Sequence, residues 1–500
     1  MLQISKDKEV KGWPLFLGYI GLFLMLVGGL ICLPLVMLIF YPSESANAKY
    51  FIVTGLFSML IGFFLFLMIK GKSKGRLEKY QATSLLISIW IIAIIISSVP
   101  FMLTGNYSFT QAVFETTSGY TTTGLSVVNV DTCPKIFLFY RSVLLFSGGI
   151  GLVLILSSAI SDSNGIGLYF LEGHNDRLLP NLIKSARAIF AIYLGYVIIG
   201  TLAYTLFGMP LFDALNHSMA ALSTGGFSTR SQSIGYYKSV PIEIITIILM
   251  LLGSTNFVLH YALIRLKFKT ILKNIETWCF LGIAIIFLPL MVAFYSYHFS
   301  DFWLGVRYGV FDFVTAATTT GFQILDSYQR IPSSCLTIII LLMIIGGQSG
   351  STAGGIKQIR VALAVKKIYW YCISTFGLAN IIYPRYVTRY GIKETANDEE
   401  LNGATIYLLL YIGVLIVGTT IFTSFGYSLS DSLFEFSSAL GTVGLSMGIT
   451  SYSAHPIILW TATVGMFVGR LEIFVVIMQI VKGKNKIKSL IENRHETKST

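Results

Sequence analysis

Four short threonine runs ending in glycine carry the chemistry this sequence offers. Their candidate residues are Thr122, Thr123 and Gly124; Thr224, Gly225 and Gly226; Thr319, Thr320 and Gly321; and Thr442, Val443 and Gly444. An alkali cation such as potassium leaves water only when oxygens replace its hydration shell, and successive backbone carbonyls can do so. Turning them to one side needs unusual backbone angles, which glycine adopts without a Cβ clash. The threonine hydroxyls add further oxygens. Thr and Gly in one membrane helix are ordinarily close-packing residues; four copies in register point instead to four segments meeting around an axis.

The copies align well beyond the glycine. Phe114, Phe311 and Phe434 stand ten residues before it, with Asn216 in the second copy. The next position is Glu115, Asp312 or Glu435, and His217 in the second copy; a bulky apolar residue follows every glycine. The acids either attract cations or tie each segment to its surroundings by hydrogen bonds, and the structural role is the preferred reading.

The elements that must position these runs are membrane helices. Apolar residues make up 54% of the chain, charged residues 12%, and mean hydropathy is +0.73, against roughly a quarter charged in soluble domains. The chain reads as all-α and integral to a membrane. A leading helix pair and basic loop (1–80) precede four repeats at 81–163, 184–270, 275–370 and 401–482, and a basic tail (483–500) follows. Each repeat predicts an outer helix, a re-entrant pore loop and an inner helix around a pseudo-fourfold pore, giving ten spans. The motif segments are too short to span but suit half-helices that dip in and return. Their C-terminal ends then face the pore, each contributing about half a unit of negative charge.

Seven basic residues (Lys49, Lys135, Arg141, Arg230, Lys238, Arg307, Arg330) fall on the side the motifs enter from, and Arg470 lies within a helix. The remaining basic residues share the side of both termini, which places the termini in the cytoplasm. This bias accounts for the net charge of +12 and argues against nucleic-acid binding. The basic tail reads as a solvated segment near anionic headgroups or a docking site for a partner. The charged 385–400 stretch is a second candidate docking surface. The cysteines (Cys32, Cys133, Cys279, Cys335, Cys372) have no metal-ligand spacing and read as small core residues.

A candidate gate lies in the third inner helix, at Gly346, Gly347, Gln348, Ser349, Gly350, Ser351, Thr352, Ala353, Gly354 and Gly355. Glycine costs about 1 kcal/mol against alanine per helical position, so this run breaks the helix. Irregular backbone at membrane depth must be buried in protein or line a cavity. Following the third filter, it belongs beneath it, as an obstruction that moves aside or as a fixed kink. Arg470, at a depth where arginine is functional by default, finds its acceptors in the broken helix's carbonyls and repels cations when the path is shut. Structural pairing alone is the other reading. Lys357 and Arg360 mark the break's cytoplasmic end.

With these motifs in place, the chain resembles the potassium-transporting Trk/Ktr/HKT superfamily. The leading helix pair makes it similar to the Trk-type (TrkH/TrkG) branch. The resemblance implies a potassium filter just before each glycine, with K+ as the transported ion and no organic cofactor in this chain. It also implies a homodimer in the bacterial cytoplasmic (inner) membrane and a cytosolic nucleotide-binding regulatory subunit resembling TrkA. The walls are unequal: Gly225, Val443 and Asn216-His217 depart from the common pattern. Glycine at all four positions resembles potassium-permeable members more than sodium-selective plant relatives, whose first such residue is serine. A proton- or sodium-coupled potassium symporter is the alternative within transport. A membrane enzyme is the competitor from another class, but the six histidines share no motif.

Overall fold

The computed structural model describes residues 10–72, 77, 79–151, 182–376, 385–479 and 481. The first nine residues, part of the basic loop (73–76), the predicted end of the first inner helix (152–160) and the tail from 482 lie outside the described residues.

Among the described residues, six helices are long and apolar enough to cross a membrane. Two form the leading pair, Trp13–Cys32, which continues as a 3-10 turn over Leu33–Ile39, and Ala48–Phe66. They cross at glycines: a Cβ on Gly21 would meet the Gly62 carbonyl at 2.6 Å, and one on Gly28 the Gly55 carbonyl at 2.6 Å. Without a hydrophobic drive between helices in lipid, such close approach is what joins them. The other four are the outer helices Lys79–Leu103, Leu182–Leu206, Ile275–Phe299 and Asp398–Ser424. The third buries only 6% of its most apolar window inside the protein, the exposure expected where lipid covers a helix.

Each outer helix leads into a short pore helix: Phe109–Tyr120, Leu211–Leu222, Phe302–Ala317 and Leu429–Leu440. Capping side chains start three of them. Ser108 makes a capping box with Gln111, Asp301 accepts from Trp303 and Leu304 N–H, and Ser428 accepts from Asp431 N–H. Pro210 precedes the other. Such caps satisfy helix-start amides that would otherwise lack partners.

The inner helices depart from simple spans. The third is broken between Ser333–Ile344 and Gln358–Phe376. The second and fourth, predicted as continuous, are also broken: Val240–Ser254 meets Phe257–Ile264 at 114°, and Pro456–Arg470 meets Ile473–Gln479 at 100°. The first is helical over Lys135–Ile150. Glycine lets the inner helices lie directly against the last pore-helix carbonyls next to these breaks: a Cβ on Gly148 would meet Tyr120 O at 2.0 Å, on Gly253 Leu222 O at 2.6 Å, and on Gly469 Leu440 O at 2.0 Å. A hydropathy window registers the apolar run and not this contact.

The 385–400 stretch is also more ordered than a charged loop. Tyr386–Arg389 pairs antiparallel with Ile392–Thr395, and Asp398, Glu399 and Glu400 form the first turn of the fourth outer helix, where acids favour the dipole.

Candidate functional site

Each pore helix ends in the same way. Thr123, Gly225, Thr320 and Val443 donate their N–H groups back to Ser118, Ala220, Thr315 and Ser438 carbonyls at 2.8–2.9 Å. This is the closing bond of a Schellman turn, which puts the preceding residue in left-handed backbone. That residue is a threonine every time: Thr122, Thr224, Thr319 and Thr442 have φ of 55°, 50°, 53° and 50°. A β-branched residue there is a genuine outlier, and strain of this kind marks functional segments. Two residues on, Gly124, Gly226, Gly321 and Gly444 have φ of 92°, 61°, 86° and 97°.

The four segments close a ring. A Cβ on Gly124 would stand 2.2 Å from Gly225 O, and one on Gly226 2.2 Å from Thr320 O. One on Gly321 would stand 1.9 Å from Val443 O, and one on Gly444 2.1 Å from Thr123 O. Each glycine therefore touches the carbonyl that precedes the next repeat's glycine, in the order first, second, third, fourth, first. The glycine types are required both by backbone angle and by the oxygen lying against them. Above the ring opens a cavity of about 480 Å³ whose floor is these four glycines.

The acids are consumed by the polypeptide. Glu115 accepts from Ser126 Oγ at 3.0 Å, Val127 N–H at 3.0 Å and Arg141 Nε at 2.7 Å. Glu435 accepts from Ser446 Oγ at 2.8 Å and Met447 N–H at 2.7 Å. Asp312 accepts from Tyr295 and Tyr328 hydroxyls at 2.6 and 3.1 Å. They pin the chain after the ring, or the neighbouring helices, to the pore helix. In the second repeat His217 takes this part, its Nδ1–H donating to Asp213 O at 2.7 Å while Nε2 accepts from Ser228 Oγ at 2.9 Å. Asp213, one turn earlier, carries the charge and holds Thr229, Arg230 and Tyr237. Burial and the adjacent Asp213 carboxylate raise the Tyr237 hydroxyl above its ordinary pKa.

Sequence reasoning missed Asp213, because it is displaced from the aligned column. It counted Arg141 only by membrane side and missed its pairing: Arg141 is 2% exposed and bonded to Glu115. Removing either partner of a buried pair leaves a costly uncompensated charge. Arg230 and Arg307, counted on the same side, pair with Asp213 and Glu243 at 2.8 and 2.5 Å.

The glycine-rich run lies against the ring's underside. Its neck is closed by Gly346 N–H to Ile356 O at 3.0 Å and Ile356 N–H to Ile344 O at 2.9 Å. Thr352 Oγ1 bonds to Leu222 O at 3.0 Å, Gly253 O at 2.9 Å and Thr224 Oγ1 at 3.1 Å. Gly354 N–H donates to Thr319 Oγ1 at 2.8 Å, and a Cβ on Gly354 would meet Thr442 Oγ1 at 1.9 Å. Three of the four left-handed threonines thus touch residues 352 and 354. The Thr122 and Thr442 hydroxyls are buried without a protein hydrogen-bond partner.

The other loop residues are held nearby. Gln348 N–H donates to Ser254 O at 3.1 Å, Ser349 N–H to Glu276 Oε1 at 2.7 Å, and Ser351 Oγ to Gln348 O at 2.6 Å. Gly347 and Gly355 back onto Ala353 and Gly346, and Gly350 faces Asn256. Arg470 donates to Thr352 O at 3.0 Å and Gly148 O at 2.5 Å, joining the loop to the first inner helix. Lys357 Nζ donates to Ala353 O, while Arg360 pairs with Glu472 at 2.6 Å.

Long apolar helices around four short helices that meet at a ring of backbone carbonyls give the chain the build of a membrane transport protein. The chain belongs to the TrkH family of cation transport proteins, whose family model matches residues 51–488. It is 30% identical over 481 residues to an uncharacterized cation transporter of Methanocaldococcus jannaschii, covering 94% of this chain and 95% of that one. It is 28% identical to the Trk system potassium uptake protein TrkH of Escherichia coli K12, covering 92% and 96%. The crystal structure of the potassium transporter TrkH from Vibrio parahaemolyticus superposes with a TM-score of 0.82 at 25% identity, covering 94% and 98%. These relatives are transport proteins and not enzymes.

Proposed function

We propose that this chain admits potassium ions through the carbonyl ring, as a multi-pass protein of the bacterial cytoplasmic membrane with both termini inside. The observation that carries the reading is the closed cycle of contacts Gly124–Gly225, Gly226–Thr320, Gly321–Val443 and Gly444–Thr123. Four walls of backbone oxygen on one axis can replace an alkali ion's water. The names of the relatives support potassium as that ion.

The loop from Gly346 to Gly355 shuts the path from below, and Arg470 holds it shut while placing positive charge where an ion would leave. The hydrogen bonds from Thr352 and Gly354 to the ring threonines support this assignment. The chain works as a homodimer with a cytosolic nucleotide-binding regulatory subunit resembling TrkA, an assignment supported by family membership.

Purified protein in potassium-loaded liposomes tests this. Rubidium uptake is expected without any imposed proton or sodium gradient, and Arg470→Ala is expected to raise its basal rate. Uptake that requires such a gradient would replace the pore with a coupled symporter.

A further inference from the structure

The cytoplasmic hairpin reaches the obstructing loop through its tip. Arg389 lies opposite Ile392, so Tyr390 and Gly391 form a two-residue turn. Their φ values are 49° and 88°, the type I′ pattern that ordinarily takes Asn-Gly. A tyrosine there is an outlier for so bulky a residue, and such outliers persist only where surrounding contacts over-determine them.

Those contacts are specific. Gly391 N–H donates to Lys273 O at 2.9 Å, fixing the turn against the segment before the third outer helix. The Asn256 side-chain amide donates to the Tyr390 hydroxyl at 2.9 Å and also to the Ser349 carbonyl. Its two N–H protons are thus divided between the hairpin and the loop. The remaining groups of Asn256 are equally committed. Its N–H donates to Gln348 Oε1 at 3.0 Å, and its Oδ1 accepts from Val258 N–H at 2.7 Å. The residue is 1% exposed and sits at the bend of the second inner helix.

Tip and loop also share one chamber. Ser349, Tyr390, Glu276, Lys357 and Glu472 line a cavity of about 270 Å³. At its rim the hairpin's Arg389 pairs with Glu400, so the hairpin is fastened to the start of the fourth outer helix. Motion at that cytoplasmic surface has a short, hydrogen-bonded route to Ser349.

We infer that Asn256 and Tyr390 form a latch by which the cytoplasmic hairpin holds the obstructing loop in place, so that displacing the hairpin frees the loop. The inference rests on the gating role proposed above. It makes Asn256 and Tyr390 positioning residues that never touch the ion.

Basal rubidium efflux from proteoliposomes separates the possibilities, using Tyr390→Phe, Asn256→Ala, their double variant, Ile392→Ala on the same hairpin, and Ser349→Pro in the loop. Tyr390→Phe keeps the ring and removes the hydroxyl that accepts from Asn256. It is expected to raise basal efflux about fivefold, the scale of one net hydrogen bond. Asn256→Ala is expected to do at least as much, the double variant no more than Asn256→Ala alone, and Ile392→Ala nothing. If Ser349→Pro raises efflux while Tyr390→Phe does not, the latch is wrong and the gate stands. If neither raises it, both fall. An equal rise in Ile392→Ala would assign the effect to general loosening and overturn the latch.

Discussion

Deleting residues 350–354 is expected to turn a quiescent protein into one that leaks potassium continuously. The deletion removes Thr352 and Gly354, and with them the bonds to Thr224, Leu222, Gly253 and Thr319. It also deprives Arg470 of the Thr352 carbonyl. Ser349→Pro is the milder form, since proline has no N–H to donate and the bond to Glu276 at 2.7 Å is lost. A hydrogen bond to a charged acceptor contributes about 1.5–3 kcal/mol, so this change alone should raise basal flux roughly tenfold to a hundredfold. Rubidium flux without any regulatory partner reads both variants. Unchanged flux in the deletion, with the protein monodisperse and ring contacts intact, would make the loop a fixed kink.

Gly321→Ala should have the opposite effect. The new Cβ would stand 1.9 Å from Val443 O in backbone at φ 86°, and left-handed backbone alone costs a non-glycine residue roughly 1–2 kcal/mol. The carbonyl must move off the axis. We expect flux to fall by about a hundredfold, the scale for ångström misplacement of a preorganised group, while the leading pair and outer helices stay folded. Single-channel or flux recordings combined with the loop deletion isolate this effect, because the deletion removes the obstruction. Full flux in the combined variant would mean that the ring does not conduct.

The difference between what was legible in the sequence and what was not has a physical pattern. The ring was legible because it makes demands on residue type: positive φ and close oxygen contact leave glycine as the solution at four positions. The fourth-repeat Arg470 and the third-repeat glycine run stood out because each violates membrane-helix composition. The bends in the second and fourth inner helices did not, since the runs around Ser254-Thr255-Asn256 and Arg470-Leu471-Glu472 keep the average hydropathy of a continuous span. One signal was available: Gly148, Gly253, Gly346 and Gly469 follow the ring glycines by 24 to 27 residues. Only the structure ties Gly148, Gly253 and Gly469 to the pore-helix ends, and Gly346 to Gly354. Asp213 and Asn256 escaped because their roles depend on partners far along the chain, Tyr237 and Ser349 among them.

Diffraction from crystals soaked in rubidium, collected at the rubidium absorption edge, tests the carbonyl ring most directly. The account predicts anomalous peaks on the line enclosed by the Thr123, Gly225, Thr320 and Val443 carbonyls, lost or displaced in Gly321→Ala. Well-ordered crystals with rubidium bound elsewhere and none between those four oxygens would contradict it.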